Sequence, residues 1–256
     1  MVGSIRLMAF ADDLVLVGAG IRTKRVCNEM NQTLANVEEF LWDKQLAVVP
    51  SKTKAMGFSR RRVRVWPNLS IRGGPVEFVQ SHRFLGVLFD DRMSWSEHIG
   101  ALVRSCYQGV NILRTLAGLD WGCDPKTMLT VYRGFVLSRL DYAFGLYSFC
   151  SRALLAQLNR IQNQCLRICL GVLRSTPINV LCVEDGVCPL SIRRSELTRR
   201  YMMRCRANLT SATGTRLAEA AIEFEENPLI EFPCPVHTVS HPIRGRWRLQ
   251  SNTKVF

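Results

Sequence analysis

Long apolar runs, a secretion signal and paired cysteines are all lacking in this 256-residue sequence. No apolar run approaches the ~18 residues that a membrane-spanning helix needs. The N-terminal residues do not follow the charged-then-apolar order of a signal peptide. We therefore expect an intracellular protein that does not span a membrane. No two cysteines stand in C-x-x-C spacing, which excludes the commonest arrangement of zinc and thiol-redox sites.

The ten cysteines are scattered along the chain. Several occupy apolar positions of predicted helices, among them Cys106, Cys165 and Cys169. In a reducing compartment such residues act as small hydrophobic side chains and not as disulfide partners. Cys234, His237 and His241 have a zinc-like spacing, but no convincing fourth ligand lies nearby in the sequence. We expect no metal site there.

Acidic residues are scarce, with 21 against 34 lysines and arginines, which gives a formal net charge of +13 and a pI near 9.7. Such an excess favours polyanionic partners, either nucleic acid or an anionic membrane surface. Hydrophobic residues make up 47% of the chain and charged residues 21%. These values are typical of a globular protein that is long enough to bury its own core.

Two adjacent acids, Asp12 and Asp13, interrupt an apolar stretch near the start of the chain. The flanks, residues 4–10 and 14–17, have the composition of short buried strands, and the acids mark the turn of a β-hairpin. Two carboxylates ~4 Å apart repel each other by roughly 4 kcal/mol at an effective dielectric constant of ~20. A divalent metal such as Mg²⁺ relieves that repulsion and prefers oxygen ligands. The alternative is an ordinary solvated turn.

The hydrophobic pattern changes from short strands to long helices at about residue 93. A helix from Thr23, which is placed to cap it, carries an apolar stripe at three- and four-residue spacing. After Met93 the helical period takes over, with capping signals at Ser94, Asp124 and Ser151 and stop signals at Gly118 and Gly171. The predicted strands are residues 46–49, 55–58, 63–66, 69–71, 76–79 and 84–89, and a further helix begins near Pro189.

Four ordered stretches resemble the reverse transcriptases of non-LTR retrotransposons. Phe10–Asp13 resembles their aromatic-Ala-Asp-Asp box, and residues 46–58 resemble the Lys-Thr-x-x-Met-x-Phe segment that ends the palm, although the customary Asn is absent. Residues 82–99 resemble the Phe-Leu-Gly-x-x-x-Asp and Trp-x-x-His-Ile stretch. Residues 118–177 resemble the helical part that follows the polymerase in insect jockey- and I-type elements. Together the blocks cover about residues 5–195.

The resemblance implies a mixed α+β fold, in which a partial palm (1–92) precedes a mainly helical thumb-like region (93–207) and an irregular tail (208–256). It also implies a right-hand polymerase that copies RNA into DNA with two Mg²⁺ ions. The partners would be an RNA template and a DNA primer, in the cytoplasm and nucleus. A dNTP would bind only with fingers and a first palm carboxylate, which we expect upstream of Met1. We therefore expect the chain alone to be inactive.

The same resemblance implies roles for specific residues. Asp12 and Asp13 would hold metal, Lys52 would assist the departing pyrophosphate, and Phe84, Leu85 and Gly86 would form the primer grip. Basic residues would contact phosphates, although charge runs are commonly solvated surfaces. The alternative function is a noncatalytic remnant that grips a duplex. The predicted phosphate contacts are Lys54, Arg60, Arg61, Arg62, Arg193, Arg194, Arg199 and Arg200.

Overall fold

The computed structural model describes residues 5–59, 66–118, 122–184, 186–208 and 214–215. The described chain divides into two compact units between Glu97 and His98. The first unit combines four small two-stranded sheets with one long helix, and the second is helical. The mixed fold agrees with the expected α+β class, whereas the names palm and thumb stay predictions. The C-terminal tail, including Cys234, His237 and His241, lies almost wholly outside the described residues.

The predicted Asp-Asp hairpin is present. Strands β1 (Ile5–Phe10) and β2 (Asp13–Gly18) pair antiparallel, with Phe10 opposite Asp13 and a two-residue turn at Ala11 and Asp12. Ala11 takes φ +51°, a left-handed conformation that favours glycine.

Helix α1 (Thr23–Asp43) packs on one face of this hairpin and on the loops that follow. Its buried side is the apolar stripe that the sequence predicts, starting at Val26 and ending at Leu34. The expected Thr23 cap is wrong, because Thr23 is already the first helical residue and Arg22 before it makes no side-chain cap bond. Asn31 ties the helix to the next segment: its side-chain oxygen accepts from Ser70 N at 3.0 Å and its nitrogen donates to Asn68 O at 3.2 Å.

Two predicted strands of the first unit are wrong. Residues 46–49 are irregular and lead into a 3-10 turn at Pro50–Lys52, in which the amides of Lys52 and Thr53 donate to Val49 O. Proline has no N–H to give to a ladder, so a helical turn forms there. The continuous strand predicted at 84–89 is instead a hairpin of β7 (Ser81–Phe84) and β8 (Val87–Asp90).

The remaining strands of the first unit are short. Strand β3 (Lys54–Ala55) pairs parallel with β6 (Glu77–Phe78), and β4 (Ser70–Ile71) forms a hairpin with β5 (Gly74–Pro75). Arg72 and Gly73, both at positive φ, form the turn between β4 and β5.

The helical unit contains several of the predicted caps. Asp124 accepts hydrogen bonds from the amides of Lys126 and Thr127, Ser151 accepts from Leu154 N, and Gly171 ends a helix at φ +64°. The first long helix begins at Ser96 and not Ser94, and a π-helical turn at Arg133–Leu137 interrupts the second. The helices are α2 (Ser96–Leu116), α3 (Pro125–Tyr132), α4 (Ser138–Asp141), α5 (Phe144–Tyr147), α6 (Arg152–Leu170), α7 (Ile178–Glu184) and α8 (Leu190–Ala207).

Cysteines line the core of the helical unit. Cys106, Cys165 and Cys169 are buried, as the sequence predicts. Burial raises the pKa of the Cys106 thiol to about 11, with a smaller opposing effect of Arg139. The Cys106 thiol therefore stays protonated at neutral pH and packs as a small apolar group.

Candidate functional site

The two carboxylates at the hairpin tip are exposed. Neither Asp12 nor Asp13 makes a side-chain hydrogen bond or ion pair in the part of the chain that the structure describes. Both groups are therefore available to a cation from solvent.

The arms of this hairpin are not the buried strands that the sequence predicts. One face, with Ile5 and Leu16, packs against the core cluster on α1. On the other face Met8 is 54% exposed and Phe10 is 64% exposed, and the cross-strand register places Asp13 on this same open face. The apolar composition of the flanks cannot reveal that only one face of a two-stranded sheet has a partner.

The hairpin offers oxygen donors of the kind that Mg²⁺ prefers, but too few of them. Among the described residues, no group of three or more His, Cys, Asp or Glu side chains could hold a metal ion. Asp12 and Asp13 thus fit part of a metal site, and no reaction step follows from them alone.

The predicted lysines have different surroundings. Lys52 is exposed at the end of the 3-10 turn, and its side chain makes no hydrogen bond or ion pair within the described residues. Lys54 is paired with Glu77 at 2.5 Å, on neighbouring strands in parallel register. A phosphate would have to displace this carboxylate to reach Lys54.

The predicted primer grip lies at a tight turn. Leu85 (φ +46°) and Gly86 (φ +78°) form the two-residue loop between β7 and β8, and both are exposed. Two consecutive positive φ angles match the type I′ turns that suit the twist of a hairpin. The backbone at this turn is accessible to a ligand, which is the property that the predicted role needs.

The arginines predicted to contact phosphates are mostly engaged within the protein. In α8, Arg193 holds Asp141 through two nitrogens at 2.5–3.0 Å, and Arg194 donates to Asn159 and Leu190 O. Hydrogen bonding to Asp141 raises the pKa of Arg193, whereas burial lowers the pKa of Arg194. These two side chains fasten α8 to the helices beneath it. Arg60, Arg61 and Arg62 lie outside the described residues.

The other two predicted contacts in α8 share one carboxylate. Glu196 accepts from Arg199 at 2.8 Å and from Arg200 at 2.8 Å. Hydrogen bonds from Arg200 and then Arg199 lower the pKa of Glu196. The pair is exposed, so its contribution to stability is small.

A structurally important residue that the sequence does not single out is Asp90. Its carboxylate is buried and accepts three backbone N–H groups, from Arg92 at 3.2 Å, Ser94 at 2.8 Å and Trp95 at 2.7 Å. This hydrogen bonding shapes the turn that leads into α2, in which Met93 and Trp95 both have positive φ. The signal in the sequence is an aspartate that closes an apolar strand just before a helix start.

The charge of the chain is unevenly divided between the two units. Residues 98–208 contain 15 lysines and arginines against six aspartates and glutamates, a formal charge of +9. Residues 5–97 contain 14 against ten, a formal charge of +4. The helical unit therefore carries the stronger attraction for a polyanion.

Comparisons with known proteins find that the chain is similar to retrotransposon proteins. It is 25% identical over 200 residues to a Pol polyprotein from the type-1 retrotransposable element R1 of Nasonia vitripennis, covering 73% of this chain and 58% of that protein. A second R1 Pol polyprotein of the same wasp is 27% identical over 212 residues, 76% of this chain and 54% of its own length. The RNA-directed DNA polymerase from mobile element jockey of Drosophila funebris is 19% identical over 165 residues, 64% of this chain and 18% of its own length.

The chain is thus related to the Pol proteins of R1- and jockey-type non-LTR retrotransposons. The expectation drawn from the four sequence blocks is confirmed at this level. The chain spans between 18% and 58% of the length of the curated relatives it matches.

Two further comparisons give no match. No family model matches the chain, and no solved structure resembles it closely enough to count. Within the described residues, no helix is both long and apolar enough to cross a membrane.

Proposed function

We propose that the chain is a fragment of the RNA-directed DNA polymerase of a non-LTR retrotransposon. The observation that carries this proposal is the pair of exposed carboxylates, Asp12 and Asp13, on a hairpin tip in a chain related to retrotransposon Pol proteins. In the intact enzyme Asp12 would bind Mg²⁺ and Asp13 would assist, with a further carboxylate from another segment. Bound metal would supply the charge that activates the primer hydroxyl and stabilises the leaving group.

The protein's own contribution at this site is positional. Asp12 lies in the turn, and Asp13 belongs to the last strand pair, where the exposed aromatic ring of Phe10 lies opposite it on the open face. That face can receive a nucleotide or a primer end without displacing packed side chains. The turn of Leu85 and Gly86 would approach the primer backbone.

The chain alone is expected to be inactive in primer extension. Two-metal catalysis needs ions ~3.5–4 Å apart, and one hairpin supplies too few ligands. The test compares the 256-residue chain with the same chain joined to the upstream polymerase segments of an R1 Pol protein, on an RNA template with Mg²⁺. The fusion should extend the primer and lose that activity with Asp12→Ala, whereas Asp43→Ala, an exposed carboxylate on α1, should keep it.

Two results would contradict the proposal. Extension by the 256-residue chain alone, lost on Asp12→Ala, would show that the chain holds a complete site. An active fusion that tolerates Asp12→Ala would remove the carboxylate from the mechanism.

A second candidate function is noncatalytic binding of a nucleic-acid duplex, with an RNA–DNA hybrid as the natural ligand. The formal charge of +9 on residues 98–208 supports it. Such binding would be weak in sequence preference and steeply dependent on salt, because phosphate contacts release counterions. It does not need the metal site, so it would survive Asp12→Ala.

A further inference from the structure

We propose that the outer face of α6, defined by Arg152, Ala153, Gln157 and Arg160, is the surface through which the helical unit holds the phosphates of a duplex. This inference rests on the proposed duplex binding and assigns it to specific residues. It differs from the sequence prediction, which placed the contacts of the helical unit on α8.

Helix α6 has a sharply divided surface. Its buried positions are Leu158, Ile161, Gln162, Cys165, Leu166 and Cys169. At 3.6 residues per turn the residues of the outer face fall on the opposite side, and all four are exposed. The core contacts thus fix this face toward the outside of the unit.

The outer face is cationic without any acidic neighbour on its own helix. The 19 residues of α6 contain no aspartate or glutamate. The side chains of Arg152 and Arg160 form no hydrogen bond or ion pair within the described residues. The third arginine, Arg167, donates to Thr176 O at 3.2 Å and to Asn163 O at 3.4 Å, and so holds the loop that follows the helix.

The spacing of the two available arginines suits a nucleic-acid backbone. They lie eight positions apart, which is a rise of about 12 Å along the helix. Each long side chain carries a planar guanidinium that binds phosphate through paired N–H groups. Gln157 lies between them with an amide that can donate to a phosphate oxygen. The face can therefore contact phosphates at two separated points.

The arginines of α8 are less available to phosphates than Arg152 and Arg160 are. Arg193 is engaged with Asp141, and Arg199 and Arg200 share Glu196. A phosphate reaching any of them must first displace a carboxylate, so part of its attraction is lost. On α6 no such exchange is needed.

The test measures the salt dependence of duplex binding by the full 256-residue chain. The ligand is a fluorescently labelled 20-base-pair RNA–DNA hybrid, titrated between 50 and 200 mM salt. Arg152→Gln with Arg160→Gln should lower the magnitude of the slope of log affinity against log salt by about 2, because each lost phosphate contact removes about 0.9. Arg199→Gln with Arg200→Gln makes the same change in net charge and should lower it by less than half as much.

A charge-conserving pair separates phosphate contact from a folding defect. Arg152→Lys with Arg160→Lys should keep the salt slope of the unaltered chain, and all variants should unfold at the same temperature since the changed residues are exposed. An equal or larger loss in the α8 variant, or a loss in the lysine variant, overturns the assignment to α6 while duplex binding stands. No duplex binding by the unaltered chain overturns the proposed binding itself, and this inference with it.

Discussion

At the scale of single residues, a buried polar group contributes more to the stability of the fold than the exposed acids Asp12 and Asp13 do. The carboxylate of Asp90 satisfies three backbone N–H groups of one tight turn. Water cannot readily replace it, since Asp90 is only 8% exposed. Unsatisfied donors in such a place cost far more than an average hydrogen bond contributes.

Asp90→Ala should therefore lower the free energy of unfolding of the chain by roughly 2–4 kcal/mol. The neighbouring Asp91→Ala is the control, because the Asp91 side chain makes no hydrogen bond or ion pair within the described part of the chain. It should change the free energy by less than about 0.5 kcal/mol. Urea denaturation followed by tryptophan fluorescence measures both, and equal effects would contradict the assigned role.

At the scale of helices and strands, sequence patterns located the long elements and failed at the short ones. The stripe of α1 and the caps at Asp124 and Ser151 follow from local side-chain chemistry, so the sequence alone predicts them. The hairpin turn at Leu85 does not follow in this way, because Leu is an unusual residue at positive φ. An apolar run of this kind fits one long strand equally well.

At the candidate site, too, some features can be predicted from the sequence and others cannot. The hairpin with Asp12 in its turn is predictable from two acids between apolar arms, although Asp13 begins β2 and does not belong to the turn. The engagement of Arg193 with Asp141 is not predictable, since the two residues lie 52 positions apart and meet only through helix packing. Charge counts in the sequence cannot tell an arginine that binds a partner from one that fastens a helix.

Close helix packing gives a prediction at this scale. A Cβ at Gly109 of α2 would lie 2.6 Å from Val136 Cγ2 in the π-helical turn, whereas one at Gly100 meets nothing nearer than 3.8 Å. Gly109→Ala should destabilise the chain by about 1–2 kcal/mol through overpacking. Gly100→Ala should stabilise it by about 0.5–1 kcal/mol through helix propensity. Thermal unfolding of the two variants provides the comparison, and a stabilised Gly109→Ala would show that the helices can separate freely.

At the scale of the whole chain, the described residues form two compact units that differ in secondary structure and in charge. Residues 98–208 have their own core, in which Tyr132, Tyr147, Leu158 and Leu166 are almost completely buried. A separate core is the condition for independent folding.

A fragment of residues 98–208 should therefore fold by itself and give a mainly helical circular dichroism spectrum with a cooperative thermal transition. The matching fragment of residues 1–97 should give a weaker helical signal, because α1 is its main helix among the described residues. A strand-dominated or non-cooperative signal from residues 98–208 would contradict the division at His98.

The π-helical turn at Arg133–Leu137 bears on how this helix can differ in length between relatives. A π turn spans one residue more than an α turn, so it accommodates an insertion without rotating the helix on either side. Met128 and Leu140, which flank it, are both buried in the core. A relative with a regular helix here would keep the same two core positions with one residue fewer. In an alignment with such a relative, a single-residue gap would fall between Tyr132 and Ser138.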